Sequence, residues 1–157
     1  MRITLLLTGK TDTPWIKAGM EEYTARLSHY IRFSVHEIIP PKNFRQLSPL
    51  QLKEAEGKLI LKYLAEADQV VLLDECGQLR KSEDFAAWIQ KMMNAGTRHM
   101  IFVVGGAYGF SPEIYAAASQ KLSLSTMTFS HQMVRPFFIE QLYRAFTILR
   151  NEPYHNS

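Results

Sequence analysis

Short runs of consecutive apolar residues, each followed by a stretch with helical spacing, most strongly limit how this chain can fold. Ile3 to Leu7, Val70 to Leu73 and Met100 to Val104 have the length of strands that are buried on both faces. Phe33 to Ile39 and a segment near Lys121 to Leu124 are interpreted as two further strands. Because strands alternate with helical segments, the sequence predicts an α/β fold with a mainly parallel sheet and helices on both faces.

Capping and stop signals predict where the helices begin and end. In Ser48-Pro49-Leu50-Gln51 serine can cap the helix, proline suits the first turn and Gln51 completes a capping box, and this helix is expected to reach about Ala65. In Ser82-Glu83-Asp84, serine is predicted to cap and the two acids favour the helix dipole, while Gly96 stops the helix. The other helices are predicted to start at Pro14, at Ser111-Pro112 and at Val134, and the last to end at about Arg150.

The length of 157 residues predicts a single domain over residues 1–157, since no repeat, low-complexity tract or linker divides the chain. A chain of this size can bury roughly 70% of its unfolded surface. Cys76 is the one cysteine, which excludes an intramolecular disulfide framework and leaves too few thiols for a structural zinc site. No histidine and carboxylate cluster has metal-ligand spacing either, so no metal is expected.

The N-terminal apolar run is too short for a signal peptide or a membrane span, so a cytoplasmic protein without membrane association is expected. The net charge of +3 permits an anionic partner without requiring one. The basic residues are scattered and form no strong basic stripe along the chain.

Ligands of parallel α/β sheets bind outside the carboxyl ends of the strands. Three such ends stand out, at Leu73-Asp74, Gly105-Gly106 and Leu124-Ser125. The pattern Gly105-Gly106-x-x-Gly109 lets the backbone approach a ligand, although a tight strand-to-helix turn explains it equally well. It lacks the glycine spacing of a dinucleotide-binding fingerprint, and Ala118 to Ser130 contains no acid, so nicotinamide binding is disfavoured.

The segment Leu122 to Ser130 alternates apolar residues with small hydroxyl residues. One interpretation is a half-exposed strand and loop. The other is a loop that offers backbone amides and carbonyls to the edge of a purine, and its lack of charge suits adenine better than a phosphate chain. The sequence contains neither a P-loop nor a Ser-His-Asp or Gly-x-Ser-x-Gly arrangement.

The closing run Pro153-Tyr154-His155 places a stiffened aromatic and imidazole pair directly after the last predicted helix. Imidazole titrates near neutral pH, so this segment predicts an active site that the tail completes. The alternative is a frayed end without a role.

Taken together, these motifs resemble the large-subunit ribosomal RNA methyltransferase H family, which belongs to the SPOUT class of knotted methyltransferases. The resemblance spans the whole chain. One departure is that Asn156-Ser157 follow the histidine, where the family often has a basic residue. The residues that carry the resemblance are Trp15, Tyr23, Leu73-Asp74, Val103 to Phe110, Leu124 to Arg135, Glu140 to Ala145 and Pro153 to His155.

The resemblance implies a homodimer that transfers a methyl group from S-adenosylmethionine to N3 of a pseudouridine in large-subunit (23S) ribosomal RNA. It also implies that the C-terminal part is threaded into a trefoil knot that forms the cofactor pocket, with dimer and pocket contacts from the helix Val134 to Arg150. Carried over by position, the cofactor contacts are Leu73, Gly105, Gly106, Leu124, Ser125, Thr126, Met127, Thr128 and Phe129.

The chemistry requires that a nucleophilic nitrogen is placed in line with an activated methyl group and loses its proton. His155 is the preferred candidate for handling that proton or positioning the base, and Tyr154 for stacking on or hydrogen-bonding the flipped nucleotide. Arg144 is expected near the substrate, and Arg135 against RNA or the partner chain. His131 is either a further catalytic group or a structural turn histidine.

Two other functions remain as rivals. A non-catalytic RNA-binding module needs aromatic platforms or a strong basic stripe. A nucleotide-dependent oxidoreductase needs the glycine spacing and the acid that this sequence lacks.

Overall fold

The computed structural model describes residues 1–155, in which strands alternate with helices as the sequence predicts. The Asn156-Ser157 ending, where the family pattern departs, lies outside the described residues. A short 3₁₀ turn, Lys42–Gln46, precedes the second helix. The elements are, in chain order, β1 (Arg2–Thr8), α1 (Pro14–Leu27), β2 (Arg32–Ile38), α2 (Pro49–Leu64), β3 (Gln69–Leu79), α3 (Ser82–Asn94), β4 (His99–Val104), α4 (Pro112–Ala117), β5 (Gln120–Ser123) and α5 (Val134–Leu149).

The strands form one sheet in the order β2-β1-β4-β3-β5, and each neighbouring pair is parallel. The predicted α/β class with a parallel sheet is therefore confirmed. The sheet order makes β4, β3 and β5 neighbours, so the loops after β4 and β5 emerge on either side of β3 at one edge of the sheet. Within residues 1–155, no helix is both long enough and apolar enough to span a lipid bilayer.

A hydrophobic cluster covers each face of the sheet. On one face α1, α3 and α5 pack over alternate residues of the strands, and Phe102 of β4 contacts Phe85, Trp88 and Phe138 with ring centroids 4.5–6.5 Å apart. On the other face α2 and α4 cover a smaller cluster around Leu72 and Val103. Burial of one such side chain stabilises the fold by roughly 1.5–3 kcal/mol.

Two predicted boundaries illustrate what local sequence determines. The capping box of α2 is confirmed, because the Gln51 amide donates to Ser48 Oγ at 3.3 Å and the Ser48 amide donates to Gln51 Oε1 at 3.1 Å. The predicted cap of α3 is wrong. Ser82 is the first helical residue, Lys81 takes the capping position, and the Ser82 hydroxyl lies instead 3.5 Å from Gln141 of α5.

Strand β3 was predicted to end at Asp74, but it continues to Leu79. Both Leu73 and Gln78 pair with Leu122 of β5, so the residues between them bulge out of the ladder. In this bulge the backbone of Gly77 packs directly against the backbone of β5. A Cβ on Gly77 would stand 2.5 Å from the carbonyl carbon of Leu122, so only glycine fits at this crossing.

Arg135, in the first turn of α5, is completely buried. Its guanidinium donates to the Thr11 hydroxyl at 2.7 Å and to the Thr8 carbonyl at 3.1 Å, and its Nε donates to the His131 carbonyl at 3.0 Å. The expectation that Arg135 contacts RNA or a partner chain is therefore wrong, because the side chain is enclosed within its own subunit. It fixes the start of α5 to the end of β1.

Candidate active site

A cleft of about 530 Å³ opens at the bulge of β3 and at the ends of β4 and β5. It is formed by this bulge, by the loops after β4 and β5 and by Val134 at the start of α5. The predicted contact Thr126 lies in the same loop as its neighbours but is not among the residues that line the cleft. The other eight predicted contacts line it: Leu73, Gly105, Gly106, Leu124, Ser125, Met127, Thr128 and Phe129.

The turn from Gly105 to Gly109, called here the glycine turn, forms one wall of the cleft. The Gly109 amide donates to the Gly106 carbonyl at 3.1 Å, and Gly109 has a φ of +76°, which favours glycine. A Cβ on Gly106 would meet the two carboxyl oxygens of Glu56 at 2.5 and 2.9 Å. The need for glycine at position 106 therefore arises from packing behind the turn, and the same turn presents its backbone to the cleft.

Two carboxylates, those of Asp74 and Glu75, also line the cleft. Asp74 accepts hydrogen bonds from the Tyr115 hydroxyl at 2.6 Å and from the Cys76 amide at 2.8 Å. Glu75 accepts one from the Thr128 hydroxyl at 2.9 Å, which joins the bulge of β3 to the loop after β5. Sequence reasoning marked Asp74 as a strand end and missed Glu75, although both acids directly follow the buried residues of β3.

The hydroxyl side chains of the loop after β5 bond mainly to their own backbone. Ser123 Oγ donates to the Ser125 carbonyl at 2.8 Å, and Ser125 Oγ accepts from the Met127 amide at 2.9 Å. Two apolar side chains of this loop are exposed in the isolated subunit, Met127 at 77% and Phe129 at 37%, and the Phe129 ring lies 5.2 Å from that of Phe137. The hydroxyls thus shape the loop and leave neighbouring backbone groups to face the cleft.

His131 also lines the cleft, at the end of the same loop. Burial, and to a smaller degree the Arg135 charge, lower the pKa of its imidazole. Its carbonyl is held by Arg135 Nε. A neutral imidazole at the cleft and a structural turn residue are both compatible with this geometry.

The other three predicted catalytic residues, Arg144, Tyr154 and His155, meet around Glu140, and we call these four residues the tail cluster. The Arg144 guanidinium and the Tyr154 hydroxyl both donate to Glu140 Oε1, at 2.7 and 2.9 Å. The guanidinium carbon lies 4.8 Å from the centre of the Tyr154 ring. Glu140 was not predicted, and its position one helical turn before Arg144 is the signal that could have identified it.

Both ring nitrogens of His155 have polar neighbours. Nε2 lies 2.8 Å from Glu83 Oε1 and Nδ1 lies 3.5 Å from Arg144 Nη1. Since arginine can only donate, this arrangement suits an imidazole that carries its proton on Nε2 and accepts at Nδ1. The histidine hydrogen bond is also the main cause of the lowered pKa of Glu83.

Tyr154 anchors the tail to the body of the protein. Its hydroxyl oxygen lies 3.2 Å from that of Tyr23, and its ring meets Tyr143 edge-on at 4.8 Å. Burial and the contacts with Tyr23 and Glu140 raise the pKa of Tyr154, so the phenol stays protonated and acts as a donor. The tail is therefore ordered up to His155, and the interpretation of a frayed end does not hold for these residues.

The tail cluster and the cleft of the same subunit are separate. Val134 lines the cleft, and Arg144 follows ten residues later on α5, which places it about 15 Å further along the helix axis. None of the tail-cluster residues lines the cleft. A single subunit thus brings His131 to the predicted cofactor loops but keeps Arg144, Tyr154 and His155 away from them.

Comparison with known proteins gives consistent results. A family model described as a predicted SPOUT methyltransferase matches residues 1–155. The chain is 56% identical over 157 residues to the ribosomal RNA large subunit methyltransferase H of Flavobacterium johnsoniae, with 99% of each chain covered. It is 52% identical over 156 residues to the protein of the same name from Parabacteroides distasonis, again with 99% of each covered.

Solved structures share the fold at low sequence identity. A probable methyltransferase from Bordetella pertussis has a TM-score of 0.56 at 9% identity, covering 92% of this chain and 96% of that one. The tRNA (m1G37) methyltransferase of Aquifex aeolicus has a TM-score of 0.54 at 12% identity, covering 100% of this chain and 75% of that one. A putative methyltransferase from Legionella pneumophila, solved with bound S-adenosylmethionine, has a TM-score of 0.51 at 12% identity, covering 92% and 66%.

Proposed function

Because this chain belongs to the SPOUT methyltransferases, and among them to the ribosomal RNA large subunit methyltransferase H family, we propose that it methylates large-subunit ribosomal RNA with S-adenosylmethionine. The acceptor is N3 of a pseudouridine in 23S ribosomal RNA, on the assembled ribosome and hence in the cytoplasm. The observation that carries the proposal is the cleft, in which eight of the nine predicted cofactor contacts meet beside three adjacent strands.

The charges of the cleft support this cofactor over a nucleotide with a phosphate chain. Asp74 and Glu75 line the cleft, and within residues 1–155 no lysine or arginine does so. S-adenosylmethionine carries a positive sulfonium, which nearby carboxylates stabilise, whereas phosphates would be repelled. The glycine turn and the loop after β5 offer backbone groups for an adenine edge.

The proposed roles of the residues follow from where each one lies. When bound, S-adenosylmethionine supplies a methyl group already activated by its sulfonium, so the protein mainly has to orient the acceptor nitrogen. Tyr154 contributes a protonated hydroxyl and an aromatic face for the flipped base, and Arg144 a fixed positive charge beside it. His155 receives or positions the N3 proton once RNA displaces one of its two polar neighbours.

One titration separates this function from its rivals. Calorimetry with S-adenosylmethionine, or with its demethylated product, is expected to give stoichiometric binding to the purified protein. An RNA-binding module would bind neither compound, and an oxidoreductase would bind a nicotinamide dinucleotide instead. Absence of heat with both adenosyl compounds would contradict the proposal.

Replacement of Gly106 by valine is expected to weaken binding of S-adenosylmethionine by more than about 100-fold. The first atoms that the new side chain meets are the carboxyl oxygens of Glu56, so either this carboxyl group or the turn beside the cleft must move. Calorimetry measures the affinity, and a thermal melt checks that the fold is retained. Affinity equal to that of the wild type would remove Gly106 from the cofactor site.

We further propose that the active site is shared between two subunits of a homodimer with an isologous contact. The cleft and the tail cluster lie about 15 Å apart along α5, which is too far for His155 to reach a ligand in its own cleft without leaving its partners. A second copy related by a two-fold axis can present its tail cluster to this cleft. Exposed Met127, Phe129 and Phe137 beside the cleft give such a contact an apolar surface.

Mixing two inactive variants tests whether the site is shared. One variant is Gly106→Val, with an intact tail, and the other lacks Tyr154 through Ser157, with an intact cleft. Each mixed dimer would contain one complete site, so an equimolar mixture after subunit exchange is expected to regain roughly a quarter of wild-type activity by statistical pairing. No recovery despite confirmed exchange, or an active monomer of 18.1 kDa in sedimentation, would contradict the shared site.

A further inference from the structure

Glu56 is a buried acid that the proposed reaction does not use. It lies in the middle of α2, on the face of the sheet opposite the tail cluster, and is only 8% exposed. Within residues 1–155 its carboxyl group has neither a hydrogen bond nor an ion pair, and burial alone raises its pKa. A carboxyl group in such a place lowers stability relative to an apolar side chain of similar size, so its position calls for an explanation outside the core.

The carboxyl group of Glu56 packs directly behind the glycine turn. A Cβ built on Gly106 would lie 2.5 Å from Oε2, 2.9 Å from Oε1 and 3.0 Å from the carboxyl carbon. The Glu56 carboxyl thus occupies the volume that a side chain at position 106 would need. Gly106 lines the cleft on its other side, whereas Glu56 does not line it.

The next residue of α2 makes a matching contact. A Cβ on Gly57 would clash with Ser111 Oγ, just beyond the glycine turn, and the buried Ser111 hydroxyl has no partner within residues 1–155. Two consecutive residues of α2 are therefore fitted to the segment between β4 and α4. Helix α2 therefore packs behind the glycine turn, which forms one wall of the cleft.

We propose that Glu56 is a positioning residue for the cleft, whose carboxyl group packs behind Gly106 and holds the glycine turn in the shape that admits the cofactor. The proposal rests on the proposed cofactor site. It differs from a plain core role because the carboxyl group packs against the glycine turn, and this turn lines the cleft. A side chain that merely filled the core would change stability without changing the cleft.

Paired substitutions test the role of the carboxyl volume. Glu56→Ala removes the support and is expected to raise the dissociation constant and the KM for S-adenosylmethionine about tenfold or more, with kcat at saturation little changed. Glu56→Gln keeps the volume and is expected to stay within about threefold of the wild-type affinity. Glu54→Ala, on the exposed face of the same helix, is the matched control and is expected to bind as the wild type does.

A double-mutant cycle with Gly106→Ala provides the sharper test. If position 106 must be glycine because of the Glu56 carboxyl, Glu56→Ala should relieve part of the damage that Gly106→Ala causes. The double variant should then bind S-adenosylmethionine more tightly, and melt at a higher temperature, than additivity predicts. Additive effects in both measurements, or wild-type binding by Glu56→Ala, would overturn the proposal.

The charge of Glu56 gives a second readout if Glu56→Ala fails to fold. A raised pKa means that the neutral carboxyl is favoured in the fold, so its contribution to stability is present at low pH and lost as the pH rises through the raised pKa. The melting temperature of Glu56→Gln should therefore be close to that of the wild type at about pH 4, and higher than that of the wild type at higher pH. If the wild type does not bind the cofactor, the proposed function fails. The melting temperatures of the double-mutant cycle with Gly106→Ala still decide whether the contact positions the turn.

Discussion

Deletion of Tyr154 through Ser157 is expected to lower methyl transfer by about two to four orders of magnitude, the usual scale for loss of an acid–base group. The affinity for S-adenosylmethionine should change little, because the residues that line the cleft lie elsewhere in the chain. Single-turnover methylation of ribosomes measures the first quantity and calorimetry the second. The deletion also removes the contacts of Tyr154 with Tyr23 and Glu140, so a small loss of thermal stability is expected.

Point substitutions divide the loss between the two side chains. His155→Ala removes the imidazole between Glu83 and Arg144, and Tyr154→Phe removes only the hydroxyl that donates to Glu140. If proton handling dominates, His155→Ala should account for most of the loss. His29→Ala, which removes an exposed imidazole at the end of α1, serves as the control and should leave turnover unchanged.

Full turnover by the truncated protein would point to a different site. Catalysis would then rest on His131 in the cleft and on Arg144, and the ordered tail would have a structural role only. Tight cofactor binding combined with a rate loss of the expected size would support the role of the tail.

Replacement of Gly77 by alanine is expected to destabilise the protein by about 3 kcal/mol or more, or to prevent folding. The added Cβ would stand 2.5 Å from the carbonyl carbon and 2.7 Å from the amide nitrogen of Leu122. These atoms belong to the backbone of β5, so no change of rotamer can relieve the clash. Chemical denaturation measures the free energy of unfolding, and the yield of folded protein reports the extreme outcome.

Gly19→Ala is the matched control for this experiment. Gly19 lies inside α1, and its nearest contact for a new Cβ is Pro136 at an ordinary 3.8 Å. Alanine is the better helix former, so this substitution should stabilise the protein by up to about 1 kcal/mol. If Gly77→Ala unfolds at the same denaturant concentration as Gly19→Ala, the tight crossing between β3 and β5 is not a real constraint.

Features that depend on neighbouring residues in the sequence were predicted well. The buried strands are apolar runs such as Ile3 to Leu7, and the capping box of α2 is formed by Ser48 and Gln51, three residues apart. The meeting of residues from three neighbouring strands at one cleft also followed from general rules for parallel sheets. Local pattern therefore gave the fold class and most of the cleft.

Features that depend on distant contacts were missed. The second half of β3 is polar and partly exposed, so no apolar run indicated that it continues along β5. Arg135 and Glu56 look like surface charges in the sequence, and only the packing of α5 and α2 encloses them. Because a charged side chain on a helix is usually exposed, these two residues could not be distinguished from their neighbours by composition or spacing.

The buried guanidinium of Arg135 has a consequence for the order of events during folding. It joins α5 to residues that lie 124 and 127 positions earlier, and α5 also covers one face of β1 and β4. While the chain emerges from the ribosome, the part of that face under α5 stays open until Val134–Leu149 has been synthesised. Contacts of such long range form slowly, so nascent chains that stop before Val134 should expose apolar strands and be prone to aggregation or chaperone binding.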